Sequence, residues 1–182
     1  MGTFTQEIIL KNKEKLIIRQ AQPSDALDIN NYIQKVVSES DFLATSPDDD
    51  SVSEENQKKY LEKRANSDGN LFLVGIIGDQ IVGMLNFKNG NKIRTQHAGE
   101  FGMTVARANW GIGIGSCLLE TLIAWAKIGR QIRKINLRVR TDNVNAIKLY
   151  EKYGFKNEGL ITREICIKNK FYDHYSMGVG ID

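Results

Sequence analysis

Apolar and polar positions alternate in short runs along most of this 182-residue chain, and the period changes several times. Residues 6–10 (QEIIL) and 15–20 (KLIIRQ) read as two strands joined by a polar Lys/Asn turn. Pro23-Ser24-Asp25 then predicts a helix start, with Ser24 as the cap and Asp25 in the first turn. Leu27, Tyr32, Ile33, Val36 and Val37 give that helix its apolar stripe. Residues 41–50 contain Pro47 and three consecutive aspartates and read as an exposed loop. Ser51-x-x-Glu54 is a capping-box pattern and predicts a second, very polar helix to about Ala65.

The pattern then turns apolar. Residues 70–77 (NLFLVGII) and 80–88 (QIVGMLNFK) predict a hairpin turning at Gly78-Asp79, and residues 97–105 (HAGEFGMTV) a third strand. A glycine-rich turn leads into a helix over 113–128, where Ile114, Cys117, Leu118, Thr121, Leu122 and Trp125 recur at helical spacing. Ile135, Leu137 and Val139 alternate with polar residues as a strand over 133–140. Asp142 or Asn143 caps a last helix that stops at Gly154. Strands over 160–168 and 171–180 close the chain through Lys168-Asn169-Lys170. This order predicts an α/β fold, with a mixed sheet carrying helices on both faces. Strands 97–105 and 133–140 flank one helix, so they should run parallel and close together.

Composition narrows the picture. Hydrophobic residues make up 41% and charged residues 26%, the balance of a soluble globular protein. A formal charge of +3 does not mark a nucleic-acid binder, and the aromatic-basic stretch 168–175, which could suggest one, reads rather as sheet packing. Cys117 and Cys166 lack metal-ligand spacing, so neither a metal site nor a disulfide is expected. No run approaches the roughly 18 apolar residues of a membrane span. No signal peptide is visible, and a cytoplasmic location is expected. Met1-Gly2 with Thr5 loosely matches a myristoylation start, but Gln6 stands where Ser or Thr is wanted.

The strongest local pattern is Trp110-Gly-Ile-Gly-Ile-Gly-Ser116, between a strand and a helix. Glycines at alternate positions turn tightly and leave backbone N–H groups uncovered at a helix N-terminus, where phosphate oxygens bind. The same glycines would also serve a merely tight turn. A nucleoside-triphosphate loop needs Lys-Ser or Lys-Thr after the last glycine, and Ser116-Cys117 follows instead. A dinucleotide fingerprint needs a glycine where Ser116 stands, and an acidic residue near Leu137 or Val139 that is missing.

Val105-Ala-Arg-Ala-Asn-Trp-Gly-Ile-Gly-Ile-Gly-Ser-Cys-Leu-Leu119 resembles the acetyl-CoA-binding segment of the GNAT acetyltransferases, Gln/Arg-x-x-Gly-x-Gly/Ala. Gly113 and Gly115 fill its glycine slots, while Trp110 replaces the Gln/Arg and brings one N–H and no charge. Thr141 to Phe155 resembles the same family's Asn-x-x-Ala-x-x-Leu-Tyr-x-x-x-Gly-Phe signature, with Asn143, Ala146, Leu149, Tyr150, Gly154 and Phe155 in register. The resemblance covers essentially the whole chain. It implies residues 1–182 as a single GNAT-like domain, with a mixed, mostly antiparallel sheet. It implies acetyl-CoA as cosubstrate, no metal, and a primary amine of a small molecule or peptide as acceptor. The cofactor-binding set is then Met103, Thr104, Val105, Trp110, Gly111, Gly113, Gly115, Ser116, Asn143, Ala146 and Tyr150. Asn143 would bond the pantetheine arm, backbone groups of Met103–Val105 would bond it too, and Tyr150 would stand near the sulfur.

Acetyl transfer to an amine makes three demands. An alkylammonium has a pKa near ~10.4 and must lose a proton. The oxyanion needs a donor, which a backbone N–H of Met103–Val105 supplies. The leaving thiolate benefits from a proton, and the Tyr150 hydroxyl is the candidate acid. Glu100, on the cofactor strand, is the candidate base: it takes the amine proton directly or through water, or holds the ammonium. A solvated or salt-bridged strand residue is the other reading of Glu100. His97 falls on the opposite strand face and reads as a strand-end residue, and His174 is a weaker alternative base. Arg130, Arg133, Lys134, Arg138, Arg140 and Lys148 would favour a polyphosphate cofactor, or form a solvated face. A noncatalytic acyl-CoA-binding module on the same fold is the alternative function. No nucleic-acid or membrane partner is expected, and a homodimer is possible. The acceptor pocket should come from the first two helices and the last hairpin, where Asp41, Asp48, Asp49, Asp50, Glu54 and Glu55 lie.

Overall fold

Residues 71–75 are buried one after another, on both faces of their strand, and this explains the layers of this molecule. A computed structural model describes residues 5–65, 67 and 69–182, so the Met1-Gly2 pattern lies outside the described residues. The chain runs β1 (Thr5–Ile9), β2 (Lys15–Gln20), α1 (Ala26–Glu39), α2 (Glu54–Ala65), β3 (Leu71–Ile77), β4 (Gln80–Asn89), β5 (Ala98–Val105), α3 (Ile114–Gly129), β6 (Lys134–Arg140), α4 (Val144–Lys152), β7 (Lys156–Ile167) and β8 (Lys170–Gly180). Leu71 and Leu73 of β3 join a core with Leu118, Leu119 and Leu122 of α3. Phe72 and Val74 point the other way, to Ile29 of α1 and Leu61 of α2. One sheet therefore carries helices on both faces.

The eight strands form a single sheet in the order β1-β2-β3-β4-β5-β6-β8-β7. All neighbours are antiparallel except β5 and β6, which run parallel as the crossover argument predicts. That parallel ladder is short. It pairs Ala98 with Lys134, Gly99 with Ile135 and Glu100 with Asn136, then stops, although β5 continues to Val105 and β6 to Arg140.

Four local expectations need correction. Ser24 does not cap α1: a 3-10 turn, Pro23–Asp25, precedes the helix, and the Asp25 carboxylate accepts the Gln22 N–H at 2.7 Å. Leu27 is exposed, because the buried face runs through Ala26, Ile29, Tyr32 and Val36 and Leu27 falls off it. Ser51 is not the cap of α2. Ser53 is, accepting the Asn56 N–H on Oγ at 3.3 Å and the Gln57 N–H on its carbonyl at 2.9 Å. The buried pair Gln57 and Leu61 sets that register. Lastly, β7 starts at Lys156 rather than 160. Lys156 and Asn157 pair with Gly178 and Met177, and an edge strand with exposed side chains carries no apolar signal.

Arg19 and Asp25 tie β2 to the entry of α1. The guanidinium donates to both carboxylate oxygens, at 2.6 and 2.7 Å. Burial pushes the Asp25 carboxyl up, but the bonds from Arg19 and the Gln22 N–H outweigh it and the net shift is downward. A carboxylate held below its ordinary value contributes stability above the unfolded pKa, lost as the pH falls through the folded value. Asp25→Asn is expected to lower stability at pH 7 by on the order of 2 kcal/mol, the scale of hydrogen bonds to a charged group. In urea titrations, the difference between wild type and variant should shrink as the pH falls below about 4.

Candidate active site

The glycine turn after β5 is built to expose donors. Gly111 and Gly113 have φ of 80° and 106°, a region that side chains with a Cβ rarely adopt. Gly113 is the cap of α3 and offers no side chain to bond the first turn. The Cys117 N–H reaches the Gly113 carbonyl at 3.1 Å, so the N–H groups of Ile114, Gly115 and Ser116 come before the helical ladder begins. Gly115 has a different purpose. A Cβ there would lie 3.3 Å from Leu149 Cδ2 and 3.6 Å from Met103 Cε, so its absence lets α3 close on α4 and β5.

Trp110 does not offer its N–H to a ligand. The indole Nε1 donates to the Val105 carbonyl at 2.7 Å and folds the turn back on the end of β5. The one donor of the Trp110 side chain is therefore used within the chain, and the Val105 carbonyl accepts a bond from it. Thr104 is tied from the other face, where its hydroxyl lies 3.1 Å from the buried Tyr32 hydroxyl of α1.

Across the opening, Asn143 rather than Asp142 caps α4, accepting the Ala146 N–H on Oδ1 at 3.3 Å. That leaves its amide N–H groups outside the cap. Asp142 instead binds Arg140. Gly154, at φ 84°, ends the helical segment. Asn143, Ala146 and Tyr150 share one side of α4 by their spacing, and all three line the same cleft. The Tyr150 ring packs edge-on to Phe101 at 5.8 Å, and its hydroxyl bonds no described residue. Burial pushes that hydroxyl up to about 12.

The cleft measures about 660 Å³ and opens where β5 and β6 stop pairing. Met103, Thr104, Val105, Trp110, Gly111, Gly113, Gly115 and Ser116 line it with the α4 residues. The far wall is Val36, Glu39, Ser40, Phe42 and Leu43, from the end of α1 and the loop after it. No sequence pattern singles out Phe42 or Leu43 for that role.

Glu100 stands apart from this constellation. Its neighbour Phe101 touches Tyr150, so Glu100 projects from the other face of β5. It is half exposed, with Oε2 3.5 Å from Arg138 Nε. His97 precedes β5 and is a strand-end residue, as its position predicts. His174 is buried in β8 with no partner for Nδ1, and it is not part of the cleft lining. Its pKa is lowered by burial, against a smaller opposing pull from Glu164. Most of the basic residues are matched by acids rather than aimed at the cleft: Arg133 by Asp182, Lys134 by Glu158, Arg138 by Glu100 and Glu164, Arg140 by Asp142. Among the described residues, no group of three His, Cys, Asp or Glu side chains is placed to hold a metal ion, and no helix is long and apolar enough to cross a membrane.

A Cβ at Gly113 would meet no protein atom within 4 Å, so a larger side chain there would fill the cleft instead. Gly113→Val also forces a β-branched residue to positive φ, a cost on the order of 1–3 kcal/mol. The variant is expected to fold, by circular dichroism, and to bind acetyl-CoA about tenfold or more weakly by calorimetry, as lost bonds to a charged group require. Unchanged affinity in the folded variant would remove the turn from the cofactor site.

Known proteins resemble this chain in sequence and in fold. The L-amino acid N-acetyltransferase AaaT of Escherichia coli (strain K12) is 30% identical over 118 residues, 65% of this chain and 73% of that protein. A crystal structure described as the acetyltransferase of GNAT family from Streptococcus pneumoniae superposes with a TM-score of 0.88 at 34% identity, covering 92% of this chain and 99% of that one. yncA of Salmonella typhimurium, a putative acetyltransferase solved with its cofactor acetyl-CoA, superposes at 0.80 and 20% identity over 92% and 94% of the two chains, a likeness of fold. Residues 38–155, which hold the far wall from Glu39 on, the glycine turn, the Asn143 cap and Tyr150, match the sequence profile of one family. The chain belongs to the acetyltransferase (GNAT) family.

Proposed function

We propose that this protein transfers the acetyl group of acetyl-CoA to a primary amine of a small molecule or peptide, by direct attack in a ternary complex. The observation that carries this reading is the Tyr150 hydroxyl: it bonds no described residue and lines the same cleft as the α3 N-terminus and Asn143.

Acetyl-CoA supplies the activated thioester, and the rest falls to this chain. The N–H groups of Ile114, Gly115 and Ser116, with the positive end of α3, hold the pyrophosphate. The amide of Asn143 and the backbone of Met103–Val105 hold the pantetheine arm, and a Met103–Val105 N–H faces the acyl oxygen as charge develops there. The amine nitrogen forms its bond to the acyl carbon, the carbon–sulfur bond breaks, the sulfur takes the Tyr150 proton, and the second proton that the nitrogen sheds restores the phenol through solvent. At about 12, that hydroxyl is protonated throughout the neutral range, as an acid must be. Glu100 lies on the face of β5 opposite Phe101 and Tyr150, which suits an acceptor arriving from the α1/α2 side. There it accepts the ammonium proton through water.

Tyr150→Phe keeps the ring between Phe101 and Phe155 and removes only the proton. Single-turnover acetyl transfer is expected to slow by on the order of 10², the lower end of general-acid help, with acetyl-CoA affinity nearly kept. An equal chemical rate would make Tyr150 a packing residue.

Glu100→Gln is expected to slow turnover by about 10²-fold or more and to shift the pH–rate profile, leaving acetyl-CoA affinity roughly unchanged. Survival of the wild-type acidic limb in the variant would show that another group takes the proton. An acceptor screen of amino acids, polyamines, aminoglycosides and N-terminal peptides, read by free CoA thiol, tests the whole assignment. Release of thiol with none of them would sink it.

A further inference from the structure

β6 ends on an arginine that is 5% exposed. A buried guanidinium is costly unless its donors and its faces are both satisfied. Arg140 meets that demand with groups from three other segments. Nε donates to Asp142 Oδ1 at 2.9 Å and Nη2 to Asp142 Oδ2 at 2.6 Å, in the turn that enters α4. Nη1 donates to the Asp41 carbonyl at 2.7 Å, in the loop after α1. The guanidinium carbon lies 3.8 Å from the centre of the Tyr172 ring of β8 and 4.7 Å from that of Phe42.

These contacts join two sides of one opening. Ser40, Phe42 and Leu43 form the far wall, while Asp142 and Asn143 belong to the α4 side. Beyond the Glu39 carboxylate, which accepts the Arg107 N–H at 2.8 Å where the chain leaves α1, the loop has little else to hold it near the cleft. Ser46, Asp48 and Asp49 bond one another, and Asn30 Nδ2 reaches the Val52 carbonyl at the loop's distant end. Leu43 packs on Tyr32, Val36 and Ala106. Lysine has one point charge where arginine has a planar fork, so it cannot bind Asp142 at two points, hold the Asp41 carbonyl and lie against two rings together.

We propose that Arg140 is a positioning residue that locks the Ser40–Leu43 wall to the entry of α4 and so sets the shape of the acceptor side of the cleft. The link to the acceptor rests on the acetyltransferase reading above; the lock itself does not. Asn143 keeps its own bond to the Ala146 N–H, so loss of Arg140 releases the wall without dismantling the cofactor side.

Arg140→Met removes the charge and Arg140→Lys removes the fork. In both, hydrogen exchange across residues 41–45 should quicken about tenfold or more relative to wild type, the loss of a contact near 1.4 kcal/mol. KM for any accepted amine should rise about tenfold, with kcat and acetyl-CoA affinity within about threefold, the pattern of lost ground-state binding. Phe42→Ala touches the lock from the loop alone, and Phe42 is one-third exposed, so this variant keeps the test alive if the arginine variants do not fold. It should raise loop exchange and KM in the same direction, and should add little on an Arg140→Met background. Unchanged loop exchange in Arg140→Met overturns the lock, as do additive effects of the two substitutions. A parallel rise in KM and acetyl-CoA dissociation would assign Arg140 to the Asn143 cap instead, which also overturns it. If wild-type protein acetylates no amine, the functional reading fails, and the exchange measurement still decides the lock.

Discussion

β5 and β6 share hydrogen bonds at three residue pairs and then part, and this interrupted ladder organises the site. On one edge β5 stays bonded to β4 as far as Val105. On the other edge, beyond Glu100, its backbone groups lose the neighbour that a continuous sheet would supply. Backbone N–H and C=O groups need partners wherever water is excluded. A gap of this kind must therefore be answered by something polar. The chain answers part of it itself, with the Trp110 indole on the Val105 carbonyl. The rest faces a cleft suited to an arm that carries amides of its own.

Two helix N-termini flank the gap, and each is left open by its own chemistry. Gly113 caps α3 with no side chain to bond its first turn. Asn143 starts α4 with a cap that uses its oxygen and leaves its N–H groups. Both helices present the positive end of their dipoles there, so the site is cationic in effect although its arginines are largely neutralised by acids. This is why a chain of modest net charge can serve a ligand rich in phosphate.

Much of this was legible in the sequence, and the reason is range. The glycine turn, the Asn143 cap and the seven-residue step to Tyr150 are patterns within one element, and the crossover between β5 and β6 follows from element order. The misreadings are also instructive. Ser24 and Ser51 carry capping chemistry, but Asp25 and Ser53 hold the positions that tertiary burial selects. Trp110 fills the slot of a phosphate ligand, and its bond to a strand end five residues back carries no signature. Arg140 reads as one basic residue among several, because its partner Asp41 lies 99 residues away and Phe42 sits in a stretch without periodicity. The wall opposite α4 is held by such distant pairs, which no local pattern displays.

The early start of β7 bears on how the molecule meets its own kind. Its twelve residues form the outer edge of the sheet, and an open edge is a template for another strand. The ladder to β8 shifts register between Asn157 and Gly159 and again between Ile161 and Ile165, and Arg163 takes a positive φ of 57° inside the second shift. Lys156 and Arg163 add charge along it, and Lys168 adds more in the turn that follows. A ridge so bent and so charged offers an incoming strand no straight line of donors and acceptors. The polar run that hid the beginning of β7 from a reading by hydropathy thus also guards the protein against edge-to-edge aggregation.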